Sequence, residues 1–131
     1  MIPYLCVALG GAIGSVGRYW TGIVAARAWG DGFPWGTLLI NILGSFVIGF
    51  FATLTLPDGP LPAGANIRVF VIVGLCGGYT TFSSFSLQTF ALIRGGDWIG
   101  AFGNMVLSVL LCLAAVGLGS VLAARFGVMG R

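Results

Sequence analysis

The residues best able to do chemistry in this chain carry no charge. Between Gly74 and Ser86 the sequence reads Gly-Leu-Cys-Gly-Gly-Tyr-Thr-Thr-Phe-Ser-Ser-Phe-Ser, with no acidic or basic side chain. Thr80, Thr81, Ser83, Ser84 and Ser86 supply hydroxyls that donate and accept hydrogen bonds without titrating. Asn41, Ser45, Gln88, Asn104 and Ser108 extend this neutral inventory. Asn41 and Ser45 are four residues apart and share a helix face, as do Asn104 and Ser108. A path lined in this way replaces part of an ion's hydration shell. Phe82 and Phe85, three apart, project from nearly one face. The edge of an aromatic ring is the positive end of its quadrupole, so a path along ring edges favours an anion. Arg18 is the one charge well inside a run of small and apolar residues. It reads either as a side chain that snorkels to the interface or pairs with a loop aspartate, or as a positive mouth that concentrates anions.

What is missing narrows the chemistry further. The chain has no glutamate, histidine or lysine, and Asp31, Asp58 and Asp97 fall in loops. An intramembrane proton relay needs such groups within the spanning segments. An acid/base pair, a catalytic triad and a carboxylate-rich metal site are excluded on the same ground, so no enzyme is expected. Cys6, Cys76 and Cys112 lie in apolar runs, fit no zinc spacing and are odd in number, so they read as small buried hydrophobes.

The elements that must position these groups are set by composition. In 131 residues only 7% are charged, and the mean hydropathy is +1.07. That is the membrane class. At ~20 residues per span the length admits about four helices with short loops. The net charge of +3 comes from arginine alone, too little and too scattered for nucleic acid. The N-terminus lacks a basic n-region and is not expected to be a signal peptide. Charges and turn residues divide the chain into helices at about 3–26, 35–56, 67–93 and 98–124, one transmembrane domain over 1–131. Trp20, Trp29, Trp35 and Trp98 near the segment ends read as interfacial anchors.

The third segment cannot be an ordinary helix throughout. A Gly-Gly pair amid hydroxyl residues predicts a break, and freed backbone is tolerated in a bilayer only where protein buries it or it lines an aqueous path. Unwound carbonyls are natural ligands for a hard cation, and the following helix N-terminus favours an anion. The residues alone therefore point to a compact anion or a small cation. Gly10 with Gly14, Ser45 with Gly49, and Ala115 with Gly119 are at small-xxx-small spacing, suited to helix packing within or between subunits. Arg68, Arg125 and Arg131 on one side against Arg27 and Arg94 on the other barely specify an orientation, which leaves insertion in both orientations open.

With these residues in view, the chain resembles the Fluc/CrcB family of fluoride channels. The resemblance is carried by Gly10-Gly11-Ala12-Ile13-Gly14 through Arg18-Tyr19, by Gly36 to Asn41 with Gly44-Ser45-Phe46, by Gly74 to Phe85, and by Asn104 with Ser108. The third of these is long and unusual. The resemblance implies an all-α membrane protein with four transmembrane helices per subunit, the third broken mid-membrane, assembled as an antiparallel dual-topology homodimer with two pores. It implies a central sodium ion (Na+) held by main-chain carbonyls, here those of Gly77 and Thr80. The family's pore phenylalanines fall on Phe82 and Phe85, its pore asparagine on Asn41, and its polar track on Ser83, Ser84 and Ser108. One turn after Ser108, where some relatives place a hydroxyl, this chain has Cys112.

The expected function is passive fluoride efflux across a bacterial plasma (inner) membrane, which lowers cytoplasmic fluoride. The expected partners are fluoride, sodium, the lipid bilayer and a second copy, with no nucleic acid. The alternative is a subunit of a small four-helix drug or metabolite exporter, which should carry a coupling acid that this sequence lacks. A non-transporting subunit of a larger complex would not need the broken helix.

Overall fold

The computed structural model describes residues 1–129 and is helical wherever it is regular among them. Helix α1 is Ile2–Trp29 and α2 is Trp35–Leu54. The third segment begins as α3, Ala65–Arg68, and continues as a π-helix, Val69–Cys76. It closes with a single α-turn, α4, Gly77–Tyr79. Thr80 (φ −79°, ψ 159°) and Thr81 (φ −154°, ψ 113°) are then extended. Helix α5 follows at Phe82–Arg94 and α6 at Trp98–Met129. Arg131, counted above among the orientation charges, lies outside the described residues.

Helix ends differ from the expected ones by a few residues. The larger difference is where helical conformation stops. Gly77 and Gly78 remain helical, and the two threonines after Tyr79 are extended instead. The π-helical stretch was not foreseen. Four of its first five residues, Val69, Val71, Ile72 and Val73, are β-branched and stiff at χ1, which weakens the α preference there. Wide turns of this kind occur often at functional sites.

Two helix packings make the body of the chain: α1 packs along the π-helix and α4, and α2 along α6. Both contacts are close backbone approaches. A Cβ on Gly10 would stand 2.5 Å from the Phe70 carbonyl oxygen. One on Gly78 would stand 2.6 Å from that of Gly11. Between α2 and α6 the corresponding pair is Gly49 against Val116 and Gly119 against Phe46. The small-residue faces of α1, α2 and α6 are thus consumed in packing within one chain. This is how helices associate when lipid is as apolar as their side chains. The buried apolar residues are mostly small, among them Ala25, Ala101, Ala115 and Ala123, while Leu, Ile, Val and Phe crowd the outside.

Among the described residues three helical stretches are long and apolar enough to cross a membrane: Trp35–Leu54, Ala65–Arg94 taken through its interruption, and Trp98–Phe126. With its 28 residues α1 would reach about 42 Å at 1.5 Å per residue, beyond the ~30 Å hydrocarbon core, but Arg18 and its glycines make it less apolar.

The ends are fixed by specific groups. Gly30 (φ +74°) and Gly96 (φ +81°) supply the left-handed turns after α1 and α5. Arg68 donates through Nη1 to the Ala52 carbonyl at 3.1 Å and to Thr55 Oγ1 at 2.5 Å. It therefore closes the C-terminus of α2, where a cation meets the negative end of the helix dipole. Asp97 Oδ1 accepts from Gly100 N at 2.8 Å and caps α6.

Candidate functional site

The interruption after Tyr79 is held by a side chain that imitates backbone. Thr81 is buried; its N–H has no helical partner, while its C=O, at the N-cap of α5, begins that helix's ladder. Asn41 on α2 serves both. Its Oδ1 accepts from Thr81 N at 2.9 Å, and its Nδ2 donates to Thr81 O at 3.2 Å. The Thr81 hydroxyl then caps α5 by accepting from Ser84 N at 3.2 Å. Ser84 Oγ donates to the same hydroxyl oxygen at 3.1 Å, and Ser83 Oγ lies 3.2 Å from it. Before the break, Cys76 O accepts from both Thr80 N at 2.9 Å and Thr80 Oγ1 at 2.8 Å.

This arrangement frees particular carbonyls. In an unbroken helix Thr81 N–H would bond to Gly77 O, and Ser84 N–H to Thr80 O. Here the first goes to Asn41 and the second to Thr81 Oγ1. The break thus takes the usual helical donors from the carbonyls of Gly77, Gly78, Tyr79 and Thr80, a set that includes Gly77 and Thr80, the two residues expected to hold a cation by main-chain oxygen. Both line one open cavity of about 480 Å3. A Cβ on Gly77 would meet only the Ile72 carbonyl, at 4.0 Å. Neutral carbonyl oxygens in a cavity without a fixed positive charge suit a small hard cation such as sodium.

The same cavity holds Asn41, Ser45, Phe82, Phe85, Ser108 and Cys112. The Phe82 and Phe85 rings lie 5.3 Å apart, inclined at 45°. Phe85 is partly buried, whereas Phe82 is 79% exposed in the single chain. Ser108 is anchored from behind. Its Oγ donates to Asn104 Oδ1 at 3.4 Å, Asn104 Nδ2 donates to Thr89 Oγ1 at 2.8 Å, and Thr89 Oγ1 donates to Phe85 O at 2.7 Å. This buried row ties α6 to α5 beneath the phenylalanines. Thr89 was not among the expected residues, whereas Asn104 stood in the neutral inventory without a stated role. The signal that could have found Thr89 is its place four after Phe85, on the same helix face.

Arg18 faces a second cavity of about 540 Å3, with Ser15, Tyr19, Thr37, Thr81, Ser84 and Gln88. No carboxylate lines it, so pairing with a loop aspartate, one of the readings open for Arg18, is not made there. A third cavity, about 500 Å3, opens among the loops and contains Asp31 and Asp97. The three adjoin in order. Gln88 and Thr37 line both the loop cavity and the Arg18 cavity. Thr81 lines both the Arg18 cavity and the phenylalanine cavity. Of the residues expected to form one polar track, Ser84 is therefore on the arginine side of the break and Ser108 on the phenylalanine side. Ser83 is exposed and lines neither of these two cavities.

The arrangement can pass or hold a small ion among neutral donors, with a positive charge on one side of the break and freed carbonyls on the other. Among the described residues no group of three or more acidic, histidine or cysteine side chains could hold a metal.

A family model described as CrcB-like protein, Camphor Resistance (CrcB), matches residues 5–120. A protein of Opitutus terrae named fluoride-specific ion channel FluC is 58% identical over 123 residues, which covers 94% of this chain and 93% of that protein. One of the same name from Methylocella silvestris is 54% identical over 129 residues, 98% of each chain. A third, from Paramagnetospirillum magneticum, is 56% identical over 123 residues, 94% of this chain and 96% of its own.

Proposed function

This chain belongs to the CrcB-like family, and from that premise we propose that it is a fluoride-specific ion channel of a multi-pass membrane protein type, not an enzyme. The relatives named as fluoride channels match nearly the whole chain, and the site contains nothing that would couple transport to protons or catalyse a reaction. Fluoride leaves the cell passively. At acid outside pH, HF enters, dissociates in a neutral cytoplasm, and the trapped anion runs down its gradient.

The observation that carries the reading is the neutral, interrupted segment: hydroxyls, amides and aromatic edges gathered at a break, with Arg18 as the fixed charge beside it. Arg18 draws the anion into the vestibule. Ser84 beside Thr81, then Asn41, Phe82 and Phe85, then Ser108, hand it across the break. Asn41 has a second amide hydrogen beyond the one given to Thr81 O, and this is the hydrogen available to fluoride. Narrowness and small hard donors exclude chloride. The break lies mid-membrane, within four spanning helices that include α1.

A second copy, inserted antiparallel, completes the channel. Support comes from the exposed Phe82, from the open cavity, and from the near balance of arginines between the two sides. A structural Na+ held by the Gly77 and Thr80 carbonyls of both copies would fix the two breaks against each other at the dimer centre. Its residence is a bacterial inner membrane. A small drug exporter is disfavoured because Asp31 and Asp97 line only the loop cavity, and no carboxylate lines the other two.

Reconstitution tests this. Proteoliposomes loaded with fluoride should release it rapidly to a fluoride electrode when a counter-ion path is opened, and should retain chloride. Release no faster than from protein-free vesicles, or equal release of chloride, would overturn the proposal.

A further inference from the structure

The cavity beside Phe82 and Phe85 is also lined by two thiols, Cys76 and Cys112. We propose that it is an inhibitory site for a soft monovalent metal cation, Ag+ or Cu+, bound by these two sulfurs. The inference goes beyond fluoride conduction but uses it as one readout. Cys76 is 3% exposed and Cys112 is partly buried, and both are free thiols. Cys112 stands four residues after Ser108, on the face of α6 that looks into the cavity.

Three features favour this ligand class over others. Soft thiolate sulfur selects d10 monovalent cations such as Cu+, and Ag+ is its heavier congener. No arginine lines the cavity, and Arg18 faces the neighbouring one, so an entering cation meets no fixed positive charge. The faces of the Phe82 and Phe85 rings attract a cation placed over them, although their edges favour an anion. A hard cation prefers the carbonyls of Gly77 and Thr80 in the same cavity, so the two classes of cation sort by ligand atom.

Binding needs no redox partner. Each S–H bond that breaks is replaced by an S–Ag bond, and the proton passes to water. The metal stays monovalent. A bound Ag+ occupies the cavity at the phenylalanine pair and stops the fluoride path there.

The test is AgNO3 added to fluoride-loaded proteoliposomes in chloride-free nitrate medium. Wild-type flux should be lost and then restored by dithiothreitol. Cys112→Ser should resist Ag+, read as the fraction of its own Ag+-free flux that survives. Cys6→Ser should stay as sensitive as wild type, because Cys6 on α1 lies outside the cavity. If Cys76→Ser fails to fold at its buried position, Cys112→Ser alone decides. A second readout does not depend on conduction: Ag+ should protect Cys76 and Cys112, counted by mass spectrometry, from N-ethylmaleimide under mild denaturation. Unprotected thiols would overturn the site even in a channel that conducts fluoride. Undiminished Ag+ block in Cys112→Ser would do the same. Protected thiols in a protein that moves no fluoride would leave the metal site standing and count against the channel.

Discussion

Removing the side chain of Asn41 should unfasten the break. Asn41→Ala takes away both partners of Thr81, the acceptor for its N–H at 2.9 Å and the donor to its C=O at 3.2 Å. Thr81 is 7% exposed, so water does not readily replace them. Leaving a buried polar group unpaired costs about 1–3 kcal/mol, and that cost falls on the Thr81 N–H, since its C=O keeps the first hydrogen bond of α5. Hydrogen bonds between membrane helices average lower, ~0.6 kcal/mol, which sets a floor of about 1 kcal/mol for the pair. Even the floor is measurable. Amide exchange at Thr81 should speed up by about fivefold for each ~1 kcal/mol lost, and the denaturation midpoint in detergent should fall. The effect should be local first: Thr81 and Ser84 amides lose protection before those of the α2–α6 pair. Fluoride flux should fall with it, because Gly77 and Thr80 carbonyls are freed only while Thr81 is held extended. If Asn41→Ala keeps wild-type stability and Thr81 protection, the clamp does not hold the break, and the account of the freed carbonyls fails.

Three further outcomes are expected. Phe82→Ile and Phe85→Ile keep bulk but remove the ring quadrupole. At an exposed Phe82 the stability cost should be under ~1.5 kcal/mol while flux collapses, and normal flux in both, together with Asn41→Asp, would return these residues to packing. Gly77→Leu meets little within its own chain, so the monomer fold should survive while dimerisation and transport are lost. An active, unaltered dimer would remove Gly77 from the cation site, whereas Thr80→Ser should be mild because the carbonyl is kept. Single cysteines placed in the 30–34 and 57–63 loops should both label from outside intact cells if the chain inserts both ways, and labelling of one loop alone in functional protein would refute dual topology.

Much of this protein follows from residue order alone. Hydropathy and charge spacing are local properties, so the helical segments, their approximate ends at Trp35 and Trp98, and the turn glycines near Gly30 and Gly96 could be read directly. So could the absence of glutamate, histidine and lysine, because composition settles it. Other features depend on what lies across the fold. The Gly77-Gly78 pair looks like the break itself, but Gly78 must be bare because α1 passes against it at Gly11, and the chain stays helical there. The break falls instead at Thr80 and Thr81, because Asn41, forty residues away from Thr81, supplies the hydrogen bonds that an extended residue needs. Arg68 reads as a topological charge until the C-terminus of α2 is seen to end against it. The polar residues form one list in sequence but are divided between two cavities by Thr81. Sequence periodicity reports which face of a helix a residue occupies. Which partner that face meets, and so whether an amide lines a path or holds a backbone open, is a long-range pairing that only the packed helices decide.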